Sequence, residues 1–156
     1  MFSVESYVEE VRGNLEKQAE LLLNAFKNVE NLKFPADACV LVIDTSFSYN
    51  TGFYLAVNED MFNEVDRVSE GSEYTDGLIL VDNFILYSRD KTGFVDFFIE
   101  NDLEEITMKE VSRWVKKCFD VAKVILPLPI YFRFPDEEDA LNLVTGKWED
   151  EMEIEL

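Results

Sequence analysis

The chain contains no histidine. That removes the commonest general base and the commonest metal ligand, and with them any Ser-His-Asp or Cys-His catalytic arrangement. Cysteine is almost as scarce. Cys39 and Cys118 are the only two, too few for a zinc site or a disulfide framework, and both read as small buried hydrophobes. Glycines are scattered and build no phosphate-binding loop. No apolar run approaches the length needed to span a bilayer. The opening Met-Phe-Ser-Val-Glu-Ser stretch lacks a basic region followed by a long apolar one, so no secretory signal is read and a cytoplasmic setting is expected. Bases are few: 14 Lys and Arg face 33 Asp and Glu, a net charge of −19 over 156 residues. Nucleic acid and anionic membranes need a basic surface, so direct binding to either is not expected.

What is present is a globular composition, 47% hydrophobic and 13% aromatic, with enough apolar surface to offset the entropy of ordering. Ser3 can cap a helix whose stripe of Val4, Tyr7, Val8, Val11, Leu15, Ala19, Leu22, Phe26 and Val29 keeps helical spacing. The runs 39–47 and 51–57 flank Asn50 and Gly52, which predicts a β-hairpin. Asn58 is expected to cap a short helix with Met61, Phe62, Val65 and Val68 inside. Residues 69–77 read as a loop. Residues 78–81 and 84–87 read as extended, interrupted at Asp82-Asn83, and residues 89–93 as a turn. The run 94–99 fits strand or helical turn equally. Thr107-Met-Lys-Glu110 has the form of a capping box, opening a helix marked by Val111, Val115, Cys118, Ala122 and Ile125 and stopped by Pro127 and Pro129. Residues 130–134 suit a strand, and 136–144 a short helix ended by Gly146. No repeat or linker is visible. The expectation is one α+β domain over residues 1–156, with a mostly antiparallel sheet and two long helices packed on one face.

The charge is uneven. Residues 136–156 hold nine acids against one base, and residues 39–77 eight against one. Residues 107–135 are the basic exception, where Lys109, Arg113, Lys116, Lys117 and Lys123 can offset acids nearby. Crowded carboxylates repel one another. That repulsion serves solubility, or it is relieved by a cationic partner whose approach it accelerates. The candidate contact residues are Glu59, Asp60, Glu70, Glu73, Tyr74 and Asp76 in one segment. In the tail they are Asp136, Glu137, Glu138, Asp139, Trp148, Glu149, Asp150 and Glu151. Tyr49 in the hairpin turn is a further exposed aromatic. No EF-hand spacing occurs, and no cofactor, metal or catalytic residue is assigned.

With its opening helix Val4–Val29, its hairpin and its acidic tail from Asp136, this histidine-free chain resembles bacterial immunity proteins of polymorphic toxin systems. The resemblance implies a non-catalytic protein that covers the active site of a basic toxin domain. Three other readings compete, the lowest-ranked being an enzyme with carboxylate chemistry. A nucleic-acid mimic would need carboxylates in long rows, and here a basic helix interrupts them. An adaptor subunit would share the same composition.

Overall fold

A computed structural model describes residues 2–46, 50–65, 78–85 and 92–156; for 46, 50, 51 and 78–85 only the backbone is considered. The expected contacts Glu70, Glu73, Tyr74 and Asp76, together with Tyr49, Val68 and the loop 69–77, lie outside the described residues.

Helix α1, Val4–Lys17, starts as its sequence dictates, the Ser3 hydroxyl accepting the Ser6 N–H at 3.1 Å. The long helix expected to Val29 is broken at Gln18, whose backbone (φ −109°, ψ 5°) leaves the helical basin; α2, Ala19–Glu30, follows at once. Strands β1, Val40–Ser46, and β2, Asn50–Asn58, form the expected antiparallel hairpin, with Val40 opposite Asn58 and Ser46 opposite Gly52. Asn58 ends β2, and no helix starts there among the described residues 59–65. The Asp60 carboxylate accepts the N–H groups of Phe62 and Asn63, both at 2.8 Å, and folds the chain into a tight loop instead.

Strand β3, Leu78–Ile85, runs unbroken through Asp82-Asn83; the irregularity falls in its register with β2, between Thr51 and Tyr54. Helix α3, Phe94–Glu100, resolves the ambiguous run as helical. Helix α4, Leu103–Ala122, begins a turn before the supposed capping box. Thr107 is fully buried there, its hydroxyl donating to the Leu103 carbonyl at 2.6 Å and bonded to the Tyr7 hydroxyl from α1. A buried tertiary partner, not a helix end, accounts for that threonine. The helix stops at Ala122, ahead of the prolines, where Lys123 turns left-handed (φ 52°).

After β4, Ile130–Arg133, the expected helix over 136–144 is absent. In its place stand β5, Asp139–Asn142, and β6, Trp148–Asp150. The Asn142 side-chain oxygen accepts the N–H groups of Val144 and Thr145, at 3.0 and 3.2 Å, and Gly146 takes φ 76°, so local turn chemistry overrides the helical pattern.

The sheet is mixed, not uniformly antiparallel. Its order is β3-β2-β1-β4-β5-β6, and the β1–β4 pairing is parallel. A parallel neighbour needs a crossover, and the segment between β2 and β4, which carries α3 and α4, supplies the room for it. Two long helices on one face do not describe the rest. There are four helices among the described residues, and α1 and α3 pack on α4. Alternate strand residues Leu41, Ile43, Phe53, Leu55, Ile130, Phe132 and Leu141 join the buried residues of the helices in one core. The other side of the strands carries a smaller cluster, Val40, Val42, Ala56, Tyr131 and Ala140, covered by Met61 and Ile154. Of the two cysteines Cys118 is buried as expected, and burial is the main cause that pushes its thiol up to about 11. Cys39 is exposed, contrary to expectation, because it sits just ahead of β1 rather than inside it.

Candidate binding cleft

Chain reversal at residues 143–146 lays β6 beside β5 and brings the acidic tail back toward the first turns of α4. Between them opens a cleft of about 750 Å³. Met108, Phe134 and Trp148 give it apolar surface. Asp102, Glu104 and Glu105 line it from the start of α4, and Glu137 and Asp139 from the strand side. Lys109 and Arg113 also reach it. Lys109 lies 3.7 Å from Glu105, and Arg113 lies 3.9 Å from Glu110. Among the described residues, Asp102, Glu104, Glu137 and Asp139 form no ion pair. Trp148 is 47% exposed where it lines this cleft.

The tail acids divide according to the face they occupy. Trp148 stands opposite Leu141 and Asp150 opposite Asp139, so these side chains share the core side of the sheet with Leu141. Glu149 stands opposite Ala140 and points to the other side. There it accepts hydrogen bonds from Tyr131 Oη at 3.2 Å and from Asn142 Nδ2 at 3.0 Å. Burial, and then the charge of Glu149, raise the Tyr131 phenol above its ordinary value.

Glu151 is engaged on that same side by Arg133. The guanidinium donates to both Asp44 carboxylate oxygens, at 2.5 and 3.3 Å, and to the Met61 carbonyl at 2.7 Å, with Glu151 Oε1 at 3.6 Å. Burial opposes the Arg133 charge, but Asp44 and Glu151 outweigh it and the pKa is raised. At Glu151 burial wins over the attraction of Arg133, and its carboxyl lies above the ordinary range. Arg133 therefore ties the loop after β2 and the tail to the middle of the sheet.

Of the expected contact residues, Glu137, Asp139 and Trp148 come together in the cleft. Asp136 and Glu138 are exposed in the turn before β5, Asp136 with φ 60°. Asp150 spends one oxygen on the Met152 N–H at 2.9 Å. Glu59 and Asp60 lie in the loop after β2 and line no part of the cleft; Asp60 is occupied by its turn, and the bonds from Asn63 and Phe62 hold its carboxyl below the usual range. Asp102, Glu104 and Glu105 were missed because the capping-box reading set the helix start at Thr107, leaving the Asp-Leu-Glu-Glu run outside it. The remaining bases of α4 do offset neighbouring acids: Lys116 binds Asp120 at 2.5 Å and Lys117 binds Glu16 at 3.3 Å.

No group of three or more acidic or cysteine side chains is placed to hold a metal ion among the described residues, and none of their helices is long and apolar enough to cross a membrane. No protein-family model, curated protein or solved structure matches the chain.

Proposed function

We propose that this chain is a non-catalytic, acidic binding protein of the cytoplasm that neutralises a basic partner protein, in the manner of an immunity protein facing a cationic toxin domain. One observation carries the reading: carboxylates from two segments about thirty residues apart in sequence flank an accessible tryptophan in the same cleft. Solubility alone needs acids anywhere on the surface. It does not need Glu104 and Glu137 on facing walls with an apolar surface between them. That combination suits a lysine- or arginine-bearing surface, whose aliphatic stems pack on Trp148 and Met108 while the charged ends meet the rim.

The test uses a purified cationic toxin domain as the basic partner. Its association rate is expected to fall steeply as salt rises, because steering acts through screened charge. Replacing Glu104→Gln, Glu137→Gln and Asp139→Asn together should slow association at low salt. Trp148→Ala should act mainly on dissociation. A rate indifferent to salt and to the three neutralising changes would reject the cleft as the binding site.

A further inference from the structure

We infer that the cleft takes its partner as an added β-strand: an extended basic segment pairs with the open edge of β6 beneath the first turns of α4. This inference rests on the basic-partner reading and specifies how the segment is held. β6 is the last strand in the sheet order, so among the described residues nothing pairs with its outer edge. The ladder with β5 shows which groups face outward. The Asn142 N–H donates to the Lys147 carbonyl at 2.9 Å, and the Glu151 N–H donates to the Glu138 carbonyl at 3.0 Å.

Antiparallel pairs alternate between bonded and non-bonded, so residues 147, 149 and 151 bond inward. The peptide N–H and C=O groups of Trp148 and Asp150 then point away from β5. Their side chains lie on the same side of the sheet as the cleft, beside Asp139. Edge backbone, a flanking helix and an apolar anchor thus border one groove, which is the geometry of strand addition.

The charge selects the occupant. Asp139 and Asp150 stand directly opposite each other on one face, and like charges so placed repel. A lysine or arginine from an adjacent strand relieves that repulsion. A second copy of this chain, at net charge −19, adds to it. Edge strands are normally guarded by short length, charged side chains, proline or a bulge. The guards on β6 are its three-residue length and the carboxylates of Glu149 and Asp150, which repel another anionic chain but not a basic segment.

Asp150 permits a specific test. Its φ of −63° already matches proline, and its N–H takes no part in the ladder. Asp150→Pro and Asp150→Ala both lose the carboxylate, but only the proline loses the outward N–H. The probe is a synthetic hexapeptide of alternating lysine and valine, with a second version N-methylated along one edge at unchanged charge. The expected result is that wild type and Asp150→Ala bind the plain peptide at low salt, and that the amides of Trp148 and Asp150 become protected from hydrogen exchange. Asp150→Pro should bind the plain peptide roughly three- to tenfold more weakly than Asp150→Ala, and wild type should lose as much on the N-methylated peptide.

Equal binding throughout, sensitive to salt alone, overturns strand addition and leaves the basic-partner reading standing. A wild-type chain that ignores both peptides at low salt overturns the cationic cleft as well. Self-association abolished by Asp150→Pro overturns the proposal in favour of a second copy at the edge.

Discussion

Asp60 and Glu151 are both carboxylates in acidic surroundings, yet their environments push them in opposite directions. Asp60 is fully exposed, and hydrogen bonds from the Asn63 side chain and the Phe62 and Asn63 N–H groups favour its ionised form. Its folded pKa lies below its unfolded one. The stabilisation is therefore complete above the unfolded value and is lost as pH falls through the folded one. Asp60→Ala should lower the melting temperature at neutral pH, and the gap to wild type should close on acidification below the ordinary aspartate range. A gap that stays constant through that titration would show that the loop does not depend on the charge. Glu151 behaves the other way. Its folded pKa is raised, chiefly by burial, so the native state binds the proton more tightly; relative stability is gained as pH falls through the folded value and is complete below the unfolded one. The acidity of both residues was legible in the sequence, whereas their environments were not. Arg133, set between Phe132 and Phe134, gave no sign that it would gather Asp44, Met61 and Glu151, since those partners are far apart along the chain.

At the scale of elements, periodicity performed well wherever one face is buried along the whole length. The hairpin of β1 and β2 and the buried stripe of α1 and α2 fall where the apolar spacing puts them, apart from the break at Gln18, for which neither the stripe nor Gly13 offers a signal. Local motifs misled in three places, one of them the expected helix cap at Asn58, which ends β2 instead. Residues 136–144 have a helical look, but Asn142 and Gly146 form a turn that yields β5 and β6, and with them the cleft. Thr107 fits a capping box, but α1 supplies a tyrosine hydroxyl that holds it inside the helix. Thr107→Val keeps the shape and deletes that hydroxyl. It should destabilise the protein by about 1 kcal/mol in chemical denaturation. Combining it with Tyr7→Phe should cost less than the sum of the single changes, because both remove the same bond. Strict additivity would mean that the two hydroxyls do not support each other.

Across the whole molecule, the two-residue period of a strand divides the tail side chains between the two sides of the sheet. On β6, Glu149 faces Tyr131 and Asn142 on one side, while Trp148 and Asp150 face the cleft side. Near-neighbour carboxylates feel each other across a Debye length of roughly 8 Å at physiological salt. The rim acids Glu104, Glu137 and Asp139 therefore add self-repulsion without a compensating described ion pair. Neutralising them with Gln or Asn should leave the melting temperature unchanged or raise it, while slowing association with a basic partner. Glu149→Ala should do the reverse, lowering the melting temperature by stranding the Tyr131 hydroxyl and the Asn142 amide, with little effect on the association rate. Thermal melts and association kinetics on the same set of variants give two independent axes. If carboxylates serve dispersal alone, the rim variants differ from wild type on neither axis beyond the general loss of charge, and neutralising an equal number of distant acids such as Glu5, Glu9 and Glu20 slows association just as much. If the cleft receives the partner, the distant variants leave the rate near that of wild type and only the rim variants reduce it.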